Sequence, residues 1–100
     1  SWELTSFEVP VTPQFITEDG SKFTDDQFVI EWANFQGAGS YELTENGKLI
    51  YAGQDTNFSI NGRADGEYTY GLRAIMDTGT TIDGKVNNFA VCIFFRIQIV

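Results

Sequence analysis

GEYTYGLRAIM, the run from Gly66 to Met76, decides the fold. Its apolar residues fall on every second position, with Tyr68, Tyr70, Leu72, Ala74 and Met76 alternating with Thr69, Gly71 and Arg73. Successive side chains of a strand point to opposite faces, so this spacing predicts a strand with one buried face and one solvated face. Asp65-Gly66, at its start, is a turn dipeptide.

The same alternation recurs upstream. Phe28, Ile30 and Trp32 share one face of a second strand, with Glu31 on the other. Tyr41 and Leu43 point inward from a third strand after a Gly-rich loop at residues 34–40. Asn46-Gly47 suits a type I′ hairpin turn, because both residues tolerate positive φ, and it joins the third strand to a fourth at residues 48–52. Phe58 and Ile60 mark a fifth strand. At the N-terminal end, residues 5–16 read as a first strand with Phe7, Val9 and Val11 inward. Pro10 and Pro13 confine it to an edge, because proline cannot donate to the ladder. Residues 18–21 then turn the chain. Downstream, residues 76–88 read as a long polar loop containing Asp77, Gly79, Asp83 and Gly84, and residues 89–100 as the last strand. In that last segment Phe95, Ile97 and Ile99 alternate with Arg96 and Gln98, whereas FAVCIFF is apolar on both faces. Turn signals every ten residues or so, with no helical periodicity, predict an all-β chain. Such a pattern is the signature of a β-sandwich or a small barrel.

Composition narrows the class. A chain of 100 residues is the size of one domain, here residues 1–100, and its 42% hydrophobic content is too high for disorder. Six Lys and Arg against fourteen Asp and Glu give a net charge of -8. Nucleic acids and anionic membranes attract the opposite balance, so neither is expected as a partner. The acidity is read as solubility, with a cation or a basic partner as the sharper alternative. No apolar stretch has the length of a membrane span. The chain opens on Ser1-Trp2 with its only Met at Met76, the expected mark of a processed chain or of a module cut from something larger. Cys92 is alone, which rules out an internal disulfide, and its apolar surroundings predict a small buried hydrophobe.

Trp32 in the second strand, Tyr41 opening the third, and Tyr68 six residues before Ala74 resemble the fibronectin type III family. In that family a Tyr near the start of the penultimate strand forms the tyrosine corner, a role the resemblance gives to Tyr68. GEYTYGLRA looks most like domains appended to secreted bacterial polysaccharide-degrading enzymes and to surface adhesins. The resemblance implies a seven-stranded antiparallel Greek-key β-sandwich, with Trp32, Tyr41, Tyr68 and Tyr70 as structural residues, and an extracellular or cell-surface setting. The long loop before the last strand and the apolar FAVCIFF depart from the family pattern.

The residues available for chemistry are few. With no His, neither a Ser-His-Asp nor a Cys-His arrangement can form, and a zinc site of the usual N/S type is not expected. Phosphate-cradling Gly motifs are missing. Fourteen acids always offer pairs, but a glycosidase also needs a deep cleft around two of them. No enzyme activity and no cofactor are expected. The family topology gathers Glu18, Asp19, Asp25, Asp26, Glu45, Asp65 and Glu67 at one end. Lacking calcium-loop spacing, this end reads as solvated, and no metal is assigned. The opposite end presents the loops, where Phe35, Gln36, Thr80, Asp83 and Asn87 are the binding candidates. An aromatic platform beside Asn and Asp is what a sugar ring needs. Trp2 is a further candidate, since terminal residues are seldom buried. Asn57-Phe58-Ser59 is a formal glycosylation sequon.

A noncatalytic interaction or spacer module of a larger extracellular or surface protein is the expected function, with a protein or glycan as partner. Two alternatives stand beside it. FAVCIFFRIQIV is long, β-prone and nearly uncharged, which suits a self-assembling structural subunit that exchanges a terminal strand with copies of itself. Phe35 or Trp2 would serve a carbohydrate-binding module.

Overall fold

The computed structural model describes residues 11–93. Their strands are β1 (Lys22–Phe23), β2 (Phe28–Glu31), β3 (Ala38–Glu45), β4 (Lys48–Gly53), β5 (Asn57–Ile60), β6 (Gly66–Met76) and β7 (Thr81–Val91), and among the described residues there is no helix. They form a five-stranded sheet in the order β1-β7-β6-β3-β4 and a two-stranded sheet of β2 and β5. All pairings are antiparallel except β1 with β7.

The two sheets meet through the residues that the alternation places inward. Phe28, Ile30, Trp32 and Ile60 of the smaller sheet and Tyr41, Leu43, Tyr70, Leu72, Ala74, Phe89 and Val91 of the larger one are buried and make one cluster. Burying a large apolar side chain contributes about 1.5–3 kcal/mol, so this cluster is the main favourable term in folding. Aromatic contacts run through it: Trp32 packs edge-on against Tyr41 with ring centroids 6.1 Å apart, and Tyr70 lies 5.4 Å from Phe89. The indole Nε1 of Trp32 is buried with no partner among the described residues.

Asn46-Gly47 makes the two-residue turn between β3 and β4, with φ of 51° and 86°, and Asn46 Oδ1 accepts from the Thr69 amide at 2.9 Å. The Tyr68 hydroxyl donates to the Ala64 carbonyl at 2.6 Å, tying the start of β6 to the connection before it. At the opposite pole the Tyr41 hydroxyl accepts from the Phe35 amide at 2.7 Å and donates to Asn34 Oδ1 at 3.2 Å, pinning the β2–β3 connection.

The first described segment straps one open side of the sandwich. Phe15 bridges Trp32, and the amides of Ile16 and Ala33 bond to Glu31 and Gln14 carbonyls, which aligns this stretch with β2. It then crosses to the larger sheet. Gly20 donates to the Asn88 carbonyl, the Asn88 amide to Asp19 Oδ1, and β1 finishes alongside Ala90 and Val91 of β7. One segment therefore bonds to both sheets. The part of the expected first strand before Val11 lies outside the described residues.

Several expectations need correction. Residues 76–88 are not a long loop: β6 turns within residues 76–80 and returns as β7 from Thr81. Backbone pairing explains this, because the long β6 needs partners for its polar groups on that side, whatever the polarity of the side chains that supply them. The last strand among the described residues accordingly starts at Thr81 instead of residue 89 and spans Thr81–Val91, and the part of the expected strand at residues 94–100 lies outside the described residues. The Gly-rich loop is shorter than expected, with β3 beginning at Ala38. Cys92 is exposed, since Phe89 and Val91 take the inward positions and leave the alternate ones to solvent.

Candidate functional site

Two bulges shape the outer face of the larger sheet. In the β6–β7 ladder Gly71 faces Val86 and Arg73 faces Asp83, so Leu72 is opposed by both Gly84 and Lys85. In the β3–β4 ladder Leu43 faces Tyr51 while Thr44 faces Leu49, leaving Ile50 as the extra residue. A bulge changes the parity of a strand and increases its local twist. Asp83 and Val86, three apart in sequence, thus stand on the same face, and so do Leu49 and Ala52.

This produces two rows across the four strands. Leu49, Thr44, Gly71 and Val86 form one, and Ala52, Glu42, Arg73 and Asp83 the other. The first row is high at its ends and low in the middle. Leu49 and Val86 are 52% and 59% exposed, and three strand spacings separate them, about 14 Å. Between them lie only a threonine and a glycine. The resulting groove has a volume of about 520 Å³, lined also by Gly47, Leu72 and Gly84. A Cβ on Gly71 would stand 2.8 Å from Thr44 Oγ1, so the missing side chain is what keeps the floor low.

The second row is an ion-paired wall. Arg73 Nε donates to Asp83 Oδ1 at 3.0 Å, and its Nη1 reaches Glu42 Oε1 at 3.4 Å. The hydrogen bond to Asp83, then its charge, raise the guanidinium's already high pKa. A second polar knot sits at the pole below. Arg63 Nε and the Tyr70 hydroxyl both donate to Glu45 Oε2, at 2.7 and 2.5 Å. Burial of the Tyr70 phenol, followed by its bond to the Glu45 carboxylate, pushes its pKa well up. Among the described residues no group of three or more His, Cys, Asp or Glu is placed to hold a metal.

Comparison with solved structures places this architecture. The chain superposes on the fibronectin(III)-like modules of CbhA from Clostridium thermocellum with a TM-score of 0.74, at 18% identity, over 85% of this chain and 100% of that one. The fold is that of a fibronectin type III-like β-sandwich. The fibronectin type III domain of human fibronectin type III domain containing protein 3 is similar at a TM-score of 0.60, with 20% identity over 90% of this chain and 93% of that one. An Fn3-like protein from Clostridium thermocellum gives 0.61, with 20% identity over 85% and 99%. No protein-family model matches the sequence, and no curated protein matches it.

Within this fibronectin type III-like frame, the residues singled out in the sequence are dispersed. Phe35 is half-buried and packs against the core, while Gln36 is exposed beside it. Thr80 is exposed in the β6–β7 turn, its hydroxyl 3.3 Å from that of Thr78. Asp83 stands on β7, away from the loops and in the groove wall. Asn87 is 7% exposed, and its Nδ2 donates to the Thr17 carbonyl at 3.3 Å, a bond to the strapping segment. Trp2 lies outside the described residues. Trp32, Tyr41 and Tyr70 are core residues, and Tyr68 is half-buried against them. Among the described binding candidates only Asp83 belongs to the groove. The rest of the groove, Glu42, Thr44, Leu49, Gly71, Arg73 and Val86, was missed. The one signal in the sequence was a glycine inside a strand pattern, Gly71, which marks a bulge or close approach.

Proposed function

We propose that this chain is a noncatalytic interaction or spacer module of a larger extracellular or cell-surface protein. The observation that carries the reading is the outer face of the larger sheet, a rigid strand-built groove whose ionic side chains are engaged with one another. Arg73 is held by Asp83 and Glu42, and Glu45 by Arg63 and Tyr70. Groups so engaged are suited to recognition through shape and hydrogen bonding. A nucleophile activated by histidine has no counterpart here, since the sequence contains no histidine. The likeness to modules of CbhA, which extends over the whole of that chain, supports the module reading.

Light scattering over a concentration series tests this. An independent module keeps a mass near 11.2 kDa at every concentration and turns over none of the materials to which it binds. A mass that rises with concentration would replace the reading with a self-assembling subunit, for which the outer edge of β4, unpaired among the described residues, is the place for an added strand.

A further inference from the structure

We infer that the groove on the outer face of the larger sheet binds a neutral, hydroxyl-rich chain, an uncharged polysaccharide. This inference rests on the reading of the chain as a noncatalytic interaction module.

Charge sorts the ligand classes. The chain carries -8 overall, which repels acidic polymers before any contact forms. Inside the groove one guanidinium lies between two carboxylates. A cationic ligand would use only Glu42 and Asp83 and would have to displace Arg73 from them. An anionic one would use only Arg73, against the repulsion of both acids. Vicinal hydroxyls donate and accept at once, so a sugar can bond to the spare carboxylate oxygens and spare guanidinium N–H groups together without breaking either ion pair. The pairs hold all three side chains in place before the ligand arrives, which lowers the ordering cost of binding.

Shape points the same way. The glycine and threonine floor admits a flat ring close to the sheet, and Leu49 and Val86 offer apolar flanks to its C–H groups. Thr44 Oγ1 faces the floor beside Gly71, where it adds a further donor and acceptor. The depression is open along the sheet surface, so several linked sugar units gain contacts that one free monosaccharide would not.

The test is affinity electrophoresis of the full chain in native gels containing hydroxyethylcellulose, xyloglucan, glucomannan or soluble starch, with alginate as the acidic comparison and a polymer-free gel as reference. At least one neutral polymer should retard the wild type, and alginate should not. Arg73→Ala, which removes the centre of the polar row, should weaken binding about tenfold or more. Gly71→Val, which fills the floor, should do the same, whereas Gln54→Ala, exposed after β4 and outside the groove, should leave retardation unchanged. Circular dichroism melts establish that each variant is folded; should Gly71→Val fail to fold, Arg73→Ala decides alone. The inference is overturned if no neutral polymer retards the wild type, if only alginate does, or if the groove variants are retarded like the wild type. In those cases a constant mass and the lack of turnover would leave the module reading standing. Release of reducing ends from a retarding polymer would instead sink the module reading while leaving the groove as the binding place.

Discussion

Gly84→Ala is the substitution that most directly tests how the sandwich is closed. A Cβ at this position would lie 2.6 Å from the Pro13 carbonyl oxygen and 3.0 Å from both the Leu72 carbonyl oxygen and Pro13 Cβ. Comfortable contacts between heavy atoms begin near 3.5 Å, so the overlap approaches 1 Å. None of the three atoms is the end of a flexible side chain. Pro13 is fully buried, and the segment that carries it is bonded to β2 through Gln14 and Ile16. Relief therefore requires the strapping segment to move away from β7 as a unit. Overpacking of this sort costs about 1–3 kcal/mol. Replacing glycine also restricts the unfolded chain, which returns about 0.4–1 kcal/mol. The expected net loss is about 1–2 kcal/mol, or roughly 5–15 °C in Tm for a chain of this size. Urea denaturation followed by tryptophan fluorescence would read it as a lower midpoint at unchanged slope. Lys85→Ala, one residue along and exposed, should stay within about 0.5 kcal/mol of wild type. A Gly84→Ala protein as stable as wild type would refute the placement of residues 13–17 against β7. It would restore the expectation of a free loop here, where alanine is harmless.

Further outcomes follow from single contacts. Tyr68→Phe removes the hydroxyl bond to the Ala64 carbonyl and should cost on the order of 1 kcal/mol by thermal or urea unfolding. Asn46→Ala loses both a residue that tolerates positive φ and the acceptor for the Thr69 amide, so about 1–2 kcal/mol is expected; an unchanged midpoint would mean that the turn is not held this way. The raised pKa of Tyr70 means that the folded state holds the phenolic proton more firmly than the unfolded chain does. That stabilisation is complete below the unfolded value of about 10 and is lost as pH climbs above it. Wild type should accordingly lose Tm more steeply than Tyr70→Phe between pH 10 and 11.5, and parallel curves would contradict the assignment.

The inner half of this structure was legible because hydrophobic burial imposes a period of two. Phe28, Ile30 and Trp32, then Tyr41 and Leu43, then Tyr70, Leu72 and Ala74 are apolar where the core needs them, and each set is buried. Asn46-Gly47 marked the hairpin because so few residue pairs fit its φ angles. The β7 strand broke the rule. Its inward positions include Gly84, which admits Pro13, and Asn87, which bonds to Thr17, so a buried face was written in residues that signal loops elsewhere. Polar residues can line an interior when each finds a partner, and the partners come from a segment some seventy residues away, as the Asn87 bond to Thr17 shows. Nothing local in TIDGKVNN reports that pairing.

The groove was hidden for a related reason. It is made by what stands opposite what on the solvent face, and that depends on register, which two bulges reset. Without the bulge at Leu72, Asp83 and Val86 would point to opposite sides of the sheet and Arg73 would have no carboxylate on β7 beside it. The site is therefore a property of the β6–β7 alignment more than of any one residue. Deleting Lys85 offers a direct check. It would remove the extra residue and restore simple alternation, leaving Asp83 and Val86 two positions apart and both still on the outer face. The chain should then keep the Arg73–Asp83 pair, with Phe89 and Val91 still in the core. Chemical shifts of the Arg73 Nε–H resonance report that pair directly, and a resonance moved by the deletion to that of an unpaired guanidinium would show that Lys85 is not the extra residue of the bulge.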